Sequence, residues 1–378
     1  MKITQVEATI LRQETIDTSR ADGGQDTLLV QIEADNGLVG FGEVDSSPEV
    51  AKAFIDAPAS HSINNGLRNL LLGHEVNDLN ETWERLYRGS IYAGRRGAGI
   101  HALSGIDMAL WDLQGKSLGV PVGSLLGPKI HDEIKAYASV LMPSSPTDVS
   151  QLVERLIGEG YLAIKLGWGV IGQDRETDVS LICAAREAAG DDIELMLDAG
   201  YGYGRDIEEA AFISSVLHDY DFSWLEEPFF PDEIDAYSKL RIRSKTPIAG
   251  GEQNATRWEF QELARTEAMD IWQPDVSRCG GISELMQIAD LADQHGVRVI
   301  PHAWKSGILK AASLHVNSVI GGQRIQEWCT AENPLARDLV STDQTLKAGY
   351  AGVPTTPGIG VEIDQSVIDK YRLYETKG

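Results

Sequence analysis

A chain of 378 residues with 42% apolar content is long enough for two or three domains, or for one barrel with additions, and is far from the disordered class. Its formal net charge of −24 at pH 7 argues against nucleic acid or an anionic membrane as partner, and an acidic substrate would need a local cation. Three scattered cysteines, Cys183, Cys279 and Cys329, fit buried free thiols in the cytoplasm better than a disulfide framework or a zinc knuckle.

In chain order, the start MKITQVEATILRQET lacks the continuous apolar core of a signal peptide, and no run reaches the roughly 20 apolar residues of a membrane helix. Residues 27–45, DTLLVQIEADNGLVGFGEV, read as a hairpin turning at Asn36-Gly37. Gly37, Gly40 and Gly42 imitate a phosphate loop, but no helix follows them directly. Residues 75–120 read as helical, ending near Gly119 and Pro121. Gly115-Lys116-Ser117 imitates the end of a P-loop, yet Leu110 stands where that motif needs its first glycine.

From about residue 134 short apolar runs alternate with amphipathic stretches. The runs are IKAYASV, LAIKLG, IELMLDAG, FSWLEEP, PIAGGE, DIWQPDV, RVIPHAW and RIQEWC. Strand–helix alternation of this period means parallel strands with helical crossovers, and eight runs predict a closed (β/α) barrel. The turn-rich stretch after about residue 330 is expected to pack back on the N-terminal part.

Each run from the second onward ends in an ionisable side chain: Lys165, Asp198, Glu226 with Glu227, Glu252, Asp275, His302 and Glu327. In a barrel the C-terminal strand ends converge on one mouth, where such enzymes work. A single acid there would more often be a helix cap; seven successive units ask for a common purpose. Asp198, Glu226 and Glu252, on adjacent strands, would repel one another unless a hard divalent cation joined them, and an all-oxygen set fits Mg²⁺. Lys165 and His302 fall on opposite sides of that trio, suited to two acid/base groups, with Asp275 placed to fix the His302 tautomer. Glu327 is expected to stay protonated and donate a hydrogen bond to a developing enolate oxygen. His315 has no such partner and reads as packing. Together these groups suit removal of the proton next to a carboxylate.

At this point SGIDMALWDLQGK, LMLDAG, WLEEP, GGE, QPDVSRCGGISE and PHAW together resemble the enolase superfamily, and its mandelate racemase subgroup in particular, over nearly the full length. The resemblance implies an α/β fold: a modified TIM barrel, (β/α)7β, with an N-terminal α+β capping domain. It divides the chain into 1–125 (cap), 126–330 (barrel) and 331–378 (a C-terminal segment returning to the cap). It implies Mg²⁺ on Asp198, Glu226 and Glu252, catalytic Lys165 and His302, Asp275 supporting His302, and Glu327 near the substrate carboxylate. By this resemblance the first glutamate of the pair is the ligand. Strand alternation adds that Trp224 shares the Glu226 face while Glu227 faces away, as support or a strand-end ion pair.

Two departures stand out. Ala163 replaces the first lysine of the family's Lys-X-Lys, and Gly200 follows the metal-binding region where an asparagine is common. These point away from mandelate-like racemisation and toward another substrate. The His302–Asp275 dyad, common among the subgroup's dehydratases and a positioned acid for a leaving hydroxyl, implies an acid-sugar dehydratase, with a racemase, epimerase or sugar-lactone cycloisomerase as the alternative and a non-catalytic descendant as a third. The partner expected is a small anionic substrate, in a symmetric homo-oligomer. Residues 14–25 and 44–60, with Arg20 for a distal carboxylate or hydroxyl, are expected to set specificity, and Trp168 and Trp304 to shape the pocket.

Overall fold

The structure is a computed structural model that describes residues 1–322, 324–342 and 344–373. It opens with an antiparallel sheet of β1 (Ile3–Arg12), β2 (Asp26–Ala34) and β3 (Val39–Val44). The β2–β3 turn closes through Gly37, whose φ of 79° is open to glycine and whose N–H donates to the Ala34 carbonyl at 2.9 Å. The stretch read as one helical region is two helices, Leu79–Gly94 and Ala98–Leu118, separated at Gly97 with φ 56°. Asp78 caps the first by accepting from the Glu81 N–H. The second ends on Gly119 in the left-handed region. That helix lies directly on β3: a Cβ at Gly42 would stand 2.0 Å from the Gly105 carbonyl oxygen. The glycine-rich strand therefore serves close packing. Lys116, in that helix, bonds Asp112 and the Val39 carbonyl.

The second sheet curls into the barrel. Its parallel strands are β4 (Glu133–Leu141), β5 (Ala163–Gly167), β6 (Glu194–Asp198), β7 (Phe222–Glu226), β8 (Ile248–Gly250), β9 (Ile271–Trp272), β10 (Arg298–Val299) and β11 (Ile325–Cys329). Pairing runs β10-β9-β8-β7-β6-β5-β4-β11, and β12 (Tyr350–Gly352) adds antiparallel to the start of β4. Tyr137, Ala163, Met196, Trp224, Ala249, Ile271, Ile300 and Ile325, one from each strand or its end, pack as one buried cluster in the interior. Alternate residues such as Ile164, Leu197 and Leu225 face outward into the core shared with the helices. Among the described residues no ladder joins β10 to β11; Arg324 spans the gap by donating to the Val299 carbonyl at 2.5 Å. The architecture is a modified (β/α)7β barrel with an α+β cap.

Three of the apolar runs are shorter as strands than their sequence suggests. β8, β9 and β10 stop at Gly250, Trp272 and Val299, so Glu252, Asp275 and His302 sit in the following loops. An isolated parallel bridge between Asp275 and His302 carries the strand direction into those loops. Past the barrel, the Leu373 N–H donates to the Ile10 carbonyl and Arg372 pairs with Glu7 at 2.6 Å, both on β1. Of the cysteines only Cys279 is buried; Cys183 and Cys329 are half-buried, a correction to the expectation of three buried thiols. Cys183 lies on the helix Arg175–Ala189 and Cys329 ends β11. Among the described residues no helix is long and apolar enough to cross a membrane.

Candidate active site

The strand ends converge as the barrel demands. Carboxylate oxygens of Asp198, Glu226 and Glu252 lie within 4.8 Å of one another, and all three side chains are buried. Asp198 closes β6 and Glu226 closes β7, paired in register across the ladder. Glu252 joins them from the loop after β8. Burial and the neighbouring Glu226 push the Asp198 carboxyl well above the usual range, with Lys165 opposing. Burial also acts on Glu252, but His302 and Arg278 outweigh it and hold that carboxyl below normal. A crowd of buried acids with no nitrogen or sulfur donor is the chemistry of a hard-cation site, so this trio could hold a divalent metal. A second group, Asp45, Asp275 and His302, is also compact. Its donors are taken: Asp45 by Arg278 and Lys305, and Asp275 by Ser277 and His302.

Lys165, in the middle of β5, points inward. Its ammonium bonds Glu226, lies 3.0 Å from Glu327 Oε1 and 3.8 Å from Asp198. The Glu327 contact is an ion pair without hydrogen-bond alignment. Burial alone would lower its pKa; Glu226 and Glu327 overcome that and hold the proton firmly. Cancellation of the acids' charge is what would ready Lys165 as a base.

His302 borders the same cavity from the loop after β10. Its Nδ1 is 2.6 Å from Asp275 Oδ2, and Nε2 is 3.3 Å from Glu252 and 3.8 Å from Glu327. Asp275 is fully buried and held by Ser277 N–H and Oγ, so the imidazole is aimed by a rigid partner. Burial opposes the charged ring, but Glu252, Glu327 and Asp275 raise its pKa to about 10.

Glu327, on β11, corrects one expectation. It accepts a hydrogen bond from the Ala303 N–H at 2.6 Å. Burial pushes its carboxyl up, yet Lys165 and His302 bring it down to about 2. It is an ionised acceptor between the two cations, not a protonated donor.

The glutamate pair divides as strand alternation requires. Trp224 Nε1 donates to Glu226 Oε2 at 2.8 Å inside the barrel, and Gln273 donates to the same oxygen at 2.7 Å. Glu227 turns away with φ 40°. It makes no ion pair among the described residues; burial and the adjacent Glu252 and Asp198 push its carboxyl well above normal, and Tyr201 bonds it. Of the two expected roles, Glu227 thus fits support behind the trio, not a strand-end ion pair.

Lys165, Asp198, Glu252, His302 and Glu327 line a cavity of about 340 Å³ together with Ser139, Gln253, Arg278, Trp168 and Trp304, and Ala21, Asp22 and Gly23 of the cap close it. A cavity of about 640 Å³ around Lys310, Trp328 and Arg337 contains none of the acid trio. Trp168 Nε1 donates to Asp198 Oδ2 at 3.1 Å, and its ring covers Gly200, where a Cβ would stand 2.6 Å from it. The glycine and the tryptophan are therefore one feature: an asparagine at 200 needs the space the indole fills. Trp304 Nε1 donates to Asp22 Oδ1 at 3.1 Å.

Arg278 escaped the sequence reading. Half-buried, it pairs with Asp45 and Glu252, tying the cap to the trio, and its only sequence signal is a place three residues after Asp275. Lys305 bonds Asp45 and the Gly23 and Asp26 carbonyls, so the segment that carries His302 also grips the cap. Arg20 does not line the cavity; its side chain is 44% exposed and 3.7 Å from Asp22. No residue of 44–60 lines it either, and Asp45 only braces Arg278 and Lys305 beside it. His315 packs in the core as expected, with backbone partners only among the described residues: it accepts from the Gly123 N–H and bonds the Ile359 carbonyl.

Two family models match the chain: Mandelate racemase / muconate lactonizing enzyme, N-terminal domain, over residues 4–127, and Enolase C-terminal domain-like, over residues 148–367. The chain is 33% identical to the D-galactarolactone cycloisomerase of Agrobacterium fabrum, covering 99% of each. It is 32% identical to the arabinonate dehydratase of Saccharolobus solfataricus, over 93% of this chain and 92% of that one. The crystal structure of the 3,6-anhydro-D-galactonate cycloisomerase from Zobellia galactanivorans superposes with a TM-score of 0.89 at 31% identity, covering 99% of this chain and all of the other.

Proposed function

Since the chain belongs to the mandelate racemase / muconate lactonizing enzyme family of the enolase superfamily, we propose that it is a Mg²⁺-dependent acid-sugar dehydratase. The observation that carries this reading is the placement of two proton carriers, Lys165 and His302, around one buried carboxylate trio in a single cavity. Asp198, Glu226 and Glu252 would hold the metal. When bound, Mg²⁺ supplies the positive charge that makes the proton next to a substrate carboxylate acidic.

The chain's own groups account for the rest. Lys165 or His302 takes the α-proton, according to which face the α C–H presents. Glu327, fixed by the Ala303 N–H, holds the two cations in place. His302, aimed by Asp275, gives a proton to the departing β-hydroxyl. The β C–O bond breaks, water leaves, and the resulting enol tautomerises to a 2-keto-3-deoxy acid. The arabinonate dehydratase relative supports this reading.

A second reading, cycloisomerisation of a sugar lactone through the same proton removal, is favoured by the full-length likeness to a D-galactarolactone cycloisomerase. Incubating acid sugars and sugar lactones with enzyme and Mg²⁺ in deuterated water separates the two. Keto-acid product with loss of the β-hydroxyl is expected; α-deuterium or ring rearrangement without keto acid would move the assignment to the isomerase.

A further inference from the structure

Among the described residues bordering the cavity, every cation already faces carboxylates. Lys165 meets Glu226 and Glu327, Arg278 meets Asp45 and Glu252, and His302 meets Asp275. Arg20 stands outside. The cap adds a further acid instead of a cation. Asp22 lines the cavity with its side chain only 2% exposed. Its Oδ1 accepts from the Gly24 N–H at 3.0 Å and from Trp304 Nε1 at 3.1 Å, so the carboxylate cannot swing away. Among the described residues its Oδ2 has only the 3.7 Å contact to Arg20, beyond hydrogen-bond reach, and can still accept.

We infer that this site selects acid sugars bearing one carboxylate and a hydroxylated tail, and rejects the corresponding diacids, with Asp22 as the discriminating residue. The inference rests on the acid-sugar reading above and holds for either of its two reactions. One substrate carboxylate can be matched by the metal the trio would hold. A second would meet Asp22 with no unpaired cation to offset the repulsion and the lost hydration. A tail hydroxyl in the same place donates to Asp22 Oδ2 and is welcomed. A sugar lactone that keeps a single free carboxylate qualifies as well as an open-chain aldonate.

The test compares hexonates, hexarates and hexaro-lactones on the Mg²⁺-loaded enzyme, reading α-proton exchange in deuterated water by NMR, with calorimetric binding to Lys165→Ala as a measure independent of turnover. The best one-carboxylate compound should exceed its matching hexarate in kcat/KM and in affinity by about tenfold or more. Asp22→Asn, which keeps the Oδ1 acceptor for Gly24 and Trp304, should narrow that ratio by improving the hexarate. Hexarates handled as well as or better than hexonates by the wild-type enzyme would overturn the inference while leaving the acid-sugar reading intact. An Asp22→Asn variant with an unchanged ratio would remove Asp22 as its cause. No exchange with any acid sugar would bring down the acid-sugar reading and this inference with it.

Discussion

Lys165 and His302 both face Glu327, so their roles are separable only by changing one at a time. Lys165→Ala and His302→Asn should each lower kcat for keto-acid formation by about 10³-fold, within the range for a lost general acid or base, with unfolding temperature little changed. Either variant retaining more than about a tenth of the activity would remove that residue from the chemistry. The period of ionisable residues along the chain made Lys165, Asp198, Glu226 and His302 legible, because one strand-and-helix unit returns to the same mouth. Arg278 and Asp22 were not legible. Their meaning comes from partners 233 and 282 residues distant, Asp45 and Trp304, and no local pattern encodes such contacts. The protonation of Glu327 was misjudged for the same reason: it depends on two cations delivered by other strands.

Elements are tied together here by close approach and by buried acids. The contact of helix Ala98–Leu118 with β3 requires Gly42, so Gly42→Ala should cost about 1–3 kcal/mol by urea denaturation. A neutral result would mean the helix does not lie on that strand. The same helix docks on Gly281–His295 through Asp107, which accepts from the Ser283 N–H at 2.9 Å and Oγ at 2.6 Å. Burial lifts the Asp107 carboxyl to about 7 from an ordinary 3.8. A folded-state pKa above the unfolded one means that folding binds a proton in this window. Its contribution is therefore full below about 4 and is lost as pH rises through about 7. Glu284, on the facing helix and likewise lifted to about 7 by burial, adds in the same direction. Thermal stability should fall as pH rises from about 4 to about 7 and level off above that, and in Asp107→Asn, which cannot ionise, it should fall less. Equal slopes in both proteins would contradict this. Hairpin, caps and helix ends were legible because Asn36-Gly37, Gly119 and Pro121 act locally. The shortness of β8, β9 and β10 was not, since the apolar runs PIAGGE, DIWQPDV and RVIPHAW continue past the last ladder bond.

At the scale of the whole molecule, the alternation of strands and helices fixed the barrel class, and the family motifs supplied the cap. The way the two halves meet emerged only in three dimensions. Asp45 and the 22–26 turn of the cap are gripped by Arg278 and Lys305 of the barrel, so the wall that faces the substrate and the loop that carries His302 form one connected piece. Three buried acids share one small volume, a crowding that a bound cation would relieve. Titrating the chelator-treated enzyme with Mg²⁺, following heat by calorimetry and α-proton exchange on an acid sugar by NMR, tests that most directly. One Mg²⁺ per chain should bind and restore exchange abolished by the chelator, and Glu226→Gln should lose both signals. Undiminished exchange in the metal-free enzyme would contradict the account.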